Sequence, residues 1–312
     1  MFKYTIKRLL QSVVTVLIVV TIVFLLMRML PTDYFFTEDQ LMKFTPEQKE
    51  EQLQAAGLLD PMPKQLVRYY GQLLKFDFGE SRRIQNGVDV VSVIGDKFTI
   101  SMKLGCTALV ISLFVGILIG IIQTLNKDRI LDHVGTAYTI FVNAVPSLVS
   151  YSLGSKVLGL PSLYSTRNPS ETSILPIVCL SLASIASYAL WTRRYMVDEL
   201  NKDYIKLARV KGTSSAGIMI KHVFKNAFVP LAQYVPASFL YTIGGSLLVE
   251  RFFSVPGMGP LLTDAIVRYD VNVVQTLVVL YAVLGTLGVF LGDILMMLLD
   301  PRIKLTGKGG TR

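Results

Sequence analysis

The chain has 312 residues, a net charge of +9, 52% hydrophobic and only 17% charged residues, with mean hydropathy +0.51. A soluble domain carries about a quarter charged residues, and the apolar residues here gather into runs near the ~20 that a bilayer core requires. A soluble fold is therefore excluded. The basic excess sits in a few short connections, where it reads as a topology signal rather than a nucleic-acid surface.

The first apolar run, residues 9–30, follows Lys3, Lys7 and Arg8. It is too long for the apolar core of a signal peptide and no small-residue cleavage site follows it, so it reads as a retained first span, residues 1–30. Residues 31–97 form the one large polar segment. Within it, "FTPEQKEEQLQAAGLL" predicts a helix with Thr45 as N-cap, Pro46 at the first position and glutamates in the first turns. "DPMPKQLVRYYGQLLKFDFG" predicts a second, with Leu66, Tyr69, Tyr70, Leu73 and Leu74 on one stripe. The segment is expected to be a helical cap.

Five more apolar runs follow, at about 104–125, 134–158, 174–191, 228–249 and 273–299. Lipid leaves only helices or closed barrels as spanning structures, and continuous rather than alternating hydrophobicity excludes the barrel. The expected fold class is an all-α integral membrane protein with six transmembrane helices and a helical extracytoplasmic segment between the first two. Residues 98–300 form the main membrane domain, and 301–312 form a tail. With the N-terminus inside, the short inner connections carry 17 Lys/Arg and the short outer ones 3. Both termini and the segment 193–227 are therefore expected to be cytoplasmic.

Reactive groups are sparse. No G-x-x-x-x-G-K-[ST] loop occurs, and "TGKGG" lacks the hydroxyl residue after Lys308. His133 and His222 stand 89 residues apart, and Cys106 and Cys179 lie inside apolar runs without metal-ligand spacing. The "GGSLL" around Ser246 has no histidine in any span to activate it. Asp270 falls in a polar loop, and Phe290 replaces the first glycine of a G-x-G-D pattern at Asp293. Neither an enzyme nor a metal site is expected. Lys103 and Lys156 lie near span ends, where they can snorkel, and Asp293 is the one acid well inside a span. No proton relay is legible, so any energy source is expected in another protein.

"YIKLARVKGTSSAGIMIKHVFKNAFVP", residues 204–230, carries five Lys/Arg and no acid. Its pattern splits into one helix over 203–211, with Asp203 as N-cap and Gly212 as a left-handed stop, and another over about 215–228. The second places Ile220, Val223, Phe224, Ala227 and Phe228 on one face, with Lys221 and Lys225 beside it. Such a pair fits either a headgroup surface or a groove on a partner. Pro146, Pro230, Pro236 and Gly244–Gly245 are positions where spans can bend or pack closely.

This segment resembles the cytoplasmic EAA loop of binding-protein-dependent type I ABC-importer permeases, in particular the B-type peptide (oligopeptide/dipeptide) branch. The family pattern D-Y-[IV]-x-x-A-R-x-K-G, then H-x-x-[KR]-N-A-x-x-P, is met by Asp203, Tyr204, Ile205, Ala208, Arg209, Lys211, Gly212, His222, Lys225, Asn226, Ala227 and Pro230, with Lys206 in place of the naming glutamate. "GLLDPMPKQLVRYYGQLLKFDFGES" resembles the outer motif G-L-D-x-P…G-D-[LF]-G-x-S, with Phe76 where glycine is usual. "VERFFSVPGMGPLLTDAIVRYDVNVVQ" resembles V-E-x-x-F-x-x-P-G-[LM]-G…D-A-I…R-D-x-P-V-V-Q. It matches at Glu250, Phe253, Pro256, Gly257, Gly259, Asp264 and Asp270 and departs at Tyr269 and Asn272. "DILMMLLDPRIK" resembles the terminal motif, with Met296 for tyrosine.

The resemblance covers nearly the whole chain, in order. It implies a permease subunit of the bacterial cytoplasmic membrane, paired with a second, similar permease in a heterodimer. Two cytoplasmic ATPases would bind the ATP, this chain holding no cofactor, and an external binding protein would deliver the solute, usually a peptide. Residues 208–217 would be a coupling helix in the ATPase cleft. Tyr204, Ala208, Arg209, Lys211, Gly212, Thr213, Ser214, His222 and Asn226 are the expected coupling residues. Glu250, Phe253, Pro256, Gly257 and Gly259, in a loop with turn chemistry, are expected at an outer gate or binding-protein dock, a simple turn being the other reading. Nickel or another small solute on the same fold, or an ATPase-independent channel or scaffold, remain alternatives.

Overall fold

The computed structural model describes residues 2–243 and 247–299. Gly244, Gly245, Ser246 and the 301–312 tail lie outside the described residues. In chain order the elements are α1 (Phe2–Arg28), a 3-10 turn (Thr32–Phe35), α2 (Glu38–Lys43), α3 (Pro46–Ala55), α4 (Met62–Leu74), and an antiparallel ladder of β1 (Glu80–Ser81) with β2 (Val88–Asp89). There follow α5 (Val90–Leu125), α6 (Ile130–Ala144), α7 (Ser147–Leu158), α8 (Pro169–Thr172), α9 (Ile174–Leu200), α10 (Asp203–Val210) and α11 (Ser215–Ile218). A π-helical turn (Met219–Phe224) leads into α12 (Lys225–Ile243), then α13 (Leu247–Phe252), α14 (Met258–Val267) and α15 (Val271–Leu299). Apart from the two-residue ladder, the regular structure among the described residues is helical.

Among the described residues, four helices are long and apolar enough to cross a membrane: Thr5–Arg28, Val90–Leu125, Pro169–Leu200 and Val271–Leu299. The chain is an integral membrane protein. The 134–158 run is two helices rather than one, because Val145 precedes a proline and is extended (ψ 126°), the region into which proline drives its predecessor. The 228–249 run belongs to α12 and the start of α13, with Pro230 and Pro236 inside α12.

Close glycine contacts join the long helices. Gly116 and Gly120 of α5 face α9 so tightly that an added Cβ would lie 2.8 Å from the Ile185 and Ala189 carbonyl oxygens. On α15, a Cβ on Gly288 would lie 2.8 Å from Ala237 Cα, and one on Gly292 would strike the Gln233 carbonyl oxygen of α12. Both pairs are spaced G-x-x-x-G, the arrangement that brings helix backbones together in lipid. Asp293, beside Gly292, pairs with Arg8 of α1 (3.3 Å) and accepts from Gln233 (3.3 Å), so this buried acid ties three helices together.

The 31–97 segment contains both expected helices. Thr45 and Gln48 form a reciprocal capping box at α3, with Pro46 in the first turn. A second box at Thr37 and Gln40 opens α2, which the sequence pattern did not suggest. α4 lies on α1: Tyr69 stacks on Phe24 (5.2 Å between centroids) and the Tyr70 hydroxyl meets Thr21 (2.6 Å). Leu74, expected on that stripe, is 82% exposed because the helix ends there.

Five helices stop alike. After α3, α4, α10, α13 and α14 the chain makes the paired 6→1 and 5→2 backbone bonds of a Schellman turn around one left-handed residue: Gly57, Phe76, Gly212, Ser254 and Tyr269. Phe76 (φ 55°) shows why glycine is usual at its position, since a bulky residue there is strained.

Candidate functional site

The basic segment 203–227 folds back on the end of α9. Ile205, Ile218, Val223 and Ala227 bury their side chains with Met196, leaving 203–227 as a projecting helix–turn–helix. Its turn is the Schellman stop of α10: Gly212 N–H donates to Arg209 O (3.0 Å) and Thr213 N–H to Ala208 O (3.1 Å), with φ +79° at Gly212. Open space surrounds Gly212. Ser214 then caps α11 by accepting from the Gly217 N–H (3.2 Å).

Several expectations need correction here. Asp203 is not the N-cap; Lys202 is, and Asp203 lies in the first turn. Its carboxylate pairs with Lys206 at 2.8 Å, which holds it below the usual carboxylate range. Residues 208–217 form no single helix: they are the end of α10, a turn and the start of α11. The second helix does not stop near Phe228 but continues through the π turn into α12. That wide turn, with its i→i+5 period, explains why the buried positions step from Ile218 to Val223 to Ala227, and why Ile220, expected on the apolar face, is 67% exposed.

A polar clamp holds the base of the knuckle. Tyr204 hydrogen-bonds through its hydroxyl to Glu199 of α9, Asn226 Nδ2 donates to that hydroxyl (2.8 Å) and to Glu199 Oε1 (3.2 Å), and the His222 ring lies edge-on to Tyr204 (6.4 Å). Three of the expected residues are thus brought together around Glu199, which the sequence reading passed over. Arg209, Lys211, Gly212 and Ser214 are exposed at the tip, with Ala208 and Thr213 half-buried beneath them. Leu207 and Val210 also leave apolar side chains exposed there, Val210 at 85%.

The second group of expected residues builds a dry loop. Glu250 is 1% exposed; its Oε1 accepts from Ser101 Oγ of α5 (2.8 Å) and its Oε2 from the Gly259 N–H (2.9 Å), while Ser101 Oγ accepts from the Met258 N–H (2.8 Å). A Cβ on Gly257 would strike both the Glu250 carboxylate and Ser101 Oγ, so the glycine is required by that carboxylate. Phe253 is fully buried against Tyr151 (5.8 Å) and Phe252 (4.9 Å), and its carbonyl accepts from the Tyr164 N–H (2.8 Å). Pro256 is half-buried between them.

Asp270 gathers a dense set of partners. It is fully buried, and its Oδ2 accepts from Ser81 Oγ (2.6 Å) and from the backbone N–H groups of Arg82, Arg83 and Ile84 (3.1, 2.9 and 3.0 Å). Successive N–H groups converging on one anion form a nest, here filled by a side chain from the start of α15. The two residues that depart from the family pattern bind the same segment: Tyr269 stacks on Tyr34 (4.0 Å) and Asn272 donates to Glu80 O (2.8 Å). Between α5, α9 and α12 lies a cavity of about 400 Å³, lined by Ser184, Ser187, Tyr188, Trp191, Tyr234 and Ser238 together with apolar residues such as Leu109, Leu180 and Leu231.

The family described as "Binding-protein-dependent transport system inner membrane component" matches residues 114–305, which include the knuckle, residues 250–259 of the dry loop and the α9 and α12 walls of the cavity. The chain belongs to this family. This transport component is 32% identical to the dipeptide transport system permease protein DppB of Lactococcus lactis over 98% of its length and all of that protein. It is 31% identical to DppB of Bacillus subtilis over 99% of its length and 30% identical to the oligopeptide transport system permease protein OppB of Salmonella typhimurium over 97%, in each case covering the whole relative. Residues 31–89 of the transport component, including the partners of Asp270, lie outside the family match. Charge alone would not have singled out Asp270 or Glu199: one sits in an ordinary polar loop, the other beside Asp198 in a run of mixed charge. Their importance comes from what the fold brings to them.

Proposed function

We propose that the chain is a permease subunit of an ATP-driven importer, forming half of the transmembrane path for peptides handed over by an external binding protein. The relatives named as dipeptide and oligopeptide permeases over their whole length support the solute class. The observation that carries the mechanism is the Gly212 knuckle, a helix–turn–helix clamped at its base and bare at its tip. Its exposed Leu207 and Val210, flanked by Arg209 and Lys211, suit insertion into a cleft on a cytoplasmic ATPase.

In this reading six spans, both termini and the knuckle follow the inner charge excess. The pathway is shared with a second permease, and two ATPases grip one knuckle each. ATP binding draws the ATPases together and the knuckles with them, and the halves rock between inward- and outward-facing states whose affinities for ATP and solute differ. The continuous run from α11 through the π turn into α12 carries that movement toward Tyr234 and Ser238, which line the proposed path. The Glu250 loop forms the fixed rim of the outer gate.

Gly212→Arg places a long cation in the docking cleft and a Cβ at a left-handed φ. Insertion and melting are expected to stay near the parent's while solute uptake is lost and the ATPase no longer co-purifies in mild detergent. Parental uptake by this variant would overturn the assignment of the knuckle.

A further inference from the structure

The sequence of α4 carries two rows at helical spacing, each residue of one following a residue of the other. Pro63, Val67, Gly71 and Leu74 form an apolar row; Lys64, Arg68, Gln72 and the C-cap Lys75 form a polar one, about 100° further around the helix. The roll of the helix is fixed from two sides. Tyr69 and Tyr70 hold it to α1, and Lys64 and Arg68 both pair with Asp60 (2.9 Å each). The apolar row is left facing outward: Val67 is 71% and Leu74 82% exposed, and a Cβ added to Gly71 would meet open space. A flank that faced water would carry polar residues, as its neighbour does.

The contacts with α1 set the depth of this flank. The Tyr70 hydroxyl meets Thr21 and donates to the Leu17 carbonyl (3.2 Å), both within the apolar helix Thr5–Arg28. At 1.5 Å per residue those 24 residues measure about 36 Å. A hydrocarbon core of about 30 Å centred on them begins about 3 Å inside Arg28 and leaves Thr21 about 7 Å deep. Beside these contacts α1 exposes Ile18, Ile22 and Leu25, the kind of surface that a span turns to lipid. Leu74 lies one turn after Tyr70, so the apolar row continues that surface at the level of the span, where a water-soluble partner does not reach.

We propose that α4 is embedded in the leaflet at the Arg28 end of α1. Its Pro63, Val67, Gly71 and Leu74 flank lies against acyl chains, and Lys64, Arg68 and Lys75 lie at the headgroups. Amphipathic helices in a membrane surface bury their apolar face about 5–10 Å, the depth that Thr21 marks here, with cations along the polar edge. The segment 31–97 is then held to lipid as well as to α1, and this holds whatever solute the chain moves.

The test adds single tryptophans to the full-length chain in nanodiscs of phosphatidylcholine with plain or brominated acyl chains. The emission of the parent, whose one tryptophan is Trp191, is subtracted in the same disc. Leu74→Trp and Val67→Trp are each expected to lose at least half of the added emission to brominated chains. Both should be shielded from aqueous iodide at least fivefold relative to Gln72→Trp, on the opposite face, which brominated chains should leave bright. Using two positions keeps the test readable if one variant fails to fold. Added emission from Leu74→Trp and Val67→Trp that brominated chains leave untouched, or that iodide quenches as it does in Gln72→Trp, would overturn the proposal and assign the flank to water. Neither outcome bears on the knuckle, so uptake and ATPase co-purification judge the transport reading separately.

Discussion

The Gly212 knuckle and the Glu250 loop are built from similar parts and serve opposite ends. Each begins where a helix stops in a Schellman turn, α10 at Gly212 and α13 at Ser254. After Gly212 the chain turns through open space, with its cations and two apolar side chains bare. After Ser254 it turns inward around a carboxylate from which Ser101, Gly257 and Gly259 leave no room for water. A local stop signal therefore says nothing of rigidity; a buried charge packed beside it does. One turn leaves its side chains bare, and the other closes on groups already in the chain.

Substitutions can break this contrast, and they rank by what they leave buried. Glu250→Ala abandons the Ser101 hydroxyl and the Gly259 N–H in a dry pocket. At about 1–3 kcal/mol for each stranded group, a loss of about 3–5 kcal/mol is expected, read as a large fall in melting temperature in nanodiscs. A fall of only a degree or two would make the loop as loose as the knuckle. Asp270→Ala empties the nest at Ser81–Ile84 and is expected to cost about 2–4 kcal/mol, part of it recovered because water can reach the freed N–H groups. Hydrogen exchange should rise over residues 31–89 and stay unchanged in α9 and α12.

At the knuckle, Tyr204→Phe removes one hydroxyl from the clamp but leaves the Asn226–Glu199 bond. It is expected to cost about 0.5–1 kcal/mol while lowering uptake several-fold, a split between melting and transport that the Glu250 loop should never show. The smallest effect has the opposite sign. Phe76→Gly relieves a left-handed bulky residue and is expected to stabilise by about 0.5–1 kcal/mol, the strain gained being offset by the entropy of the freer unfolded chain.

Much of this was legible in the sequence. Apolar runs gave the membrane class and four of the long helices, and Thr45-Pro46 and Gly212 gave their cap and stop because such signals depend on neighbours only. The illegible parts depended on distance or on a change of period. The π turn moved the buried face off Ile220, because a register assumed constant fails after one added residue per turn. The G-x-x-x-G pairs at Gly116–Gly120 and Gly288–Gly292 drew no notice among other small residues until opposite helices came within contact. Of the candidate residues, Tyr204, His222 and Asn226 proved to be neighbours, as did Glu250, Gly257 and Gly259. Glu199 and Ser101, which hold them in place, carry no motif of their own, whereas Ser81 closes the outer G-x-S pattern without any sign in the sequence that it would meet Asp270.

The bond between Ser81 and Asp270 spans 189 positions of the chain, and that separation has a consequence for biogenesis. A ribosome delivers the N-terminal part first, so the nest at Ser81–Ile84 is made long before the carboxylate that fills it. The cap must therefore wait, with its N–H groups on water, until the start of the last helix has been synthesised and brought beside it. Locking it is a late event that reports completion of the membrane domain, and a nascent chain truncated before Asp270 carries an open cap for proteases to find.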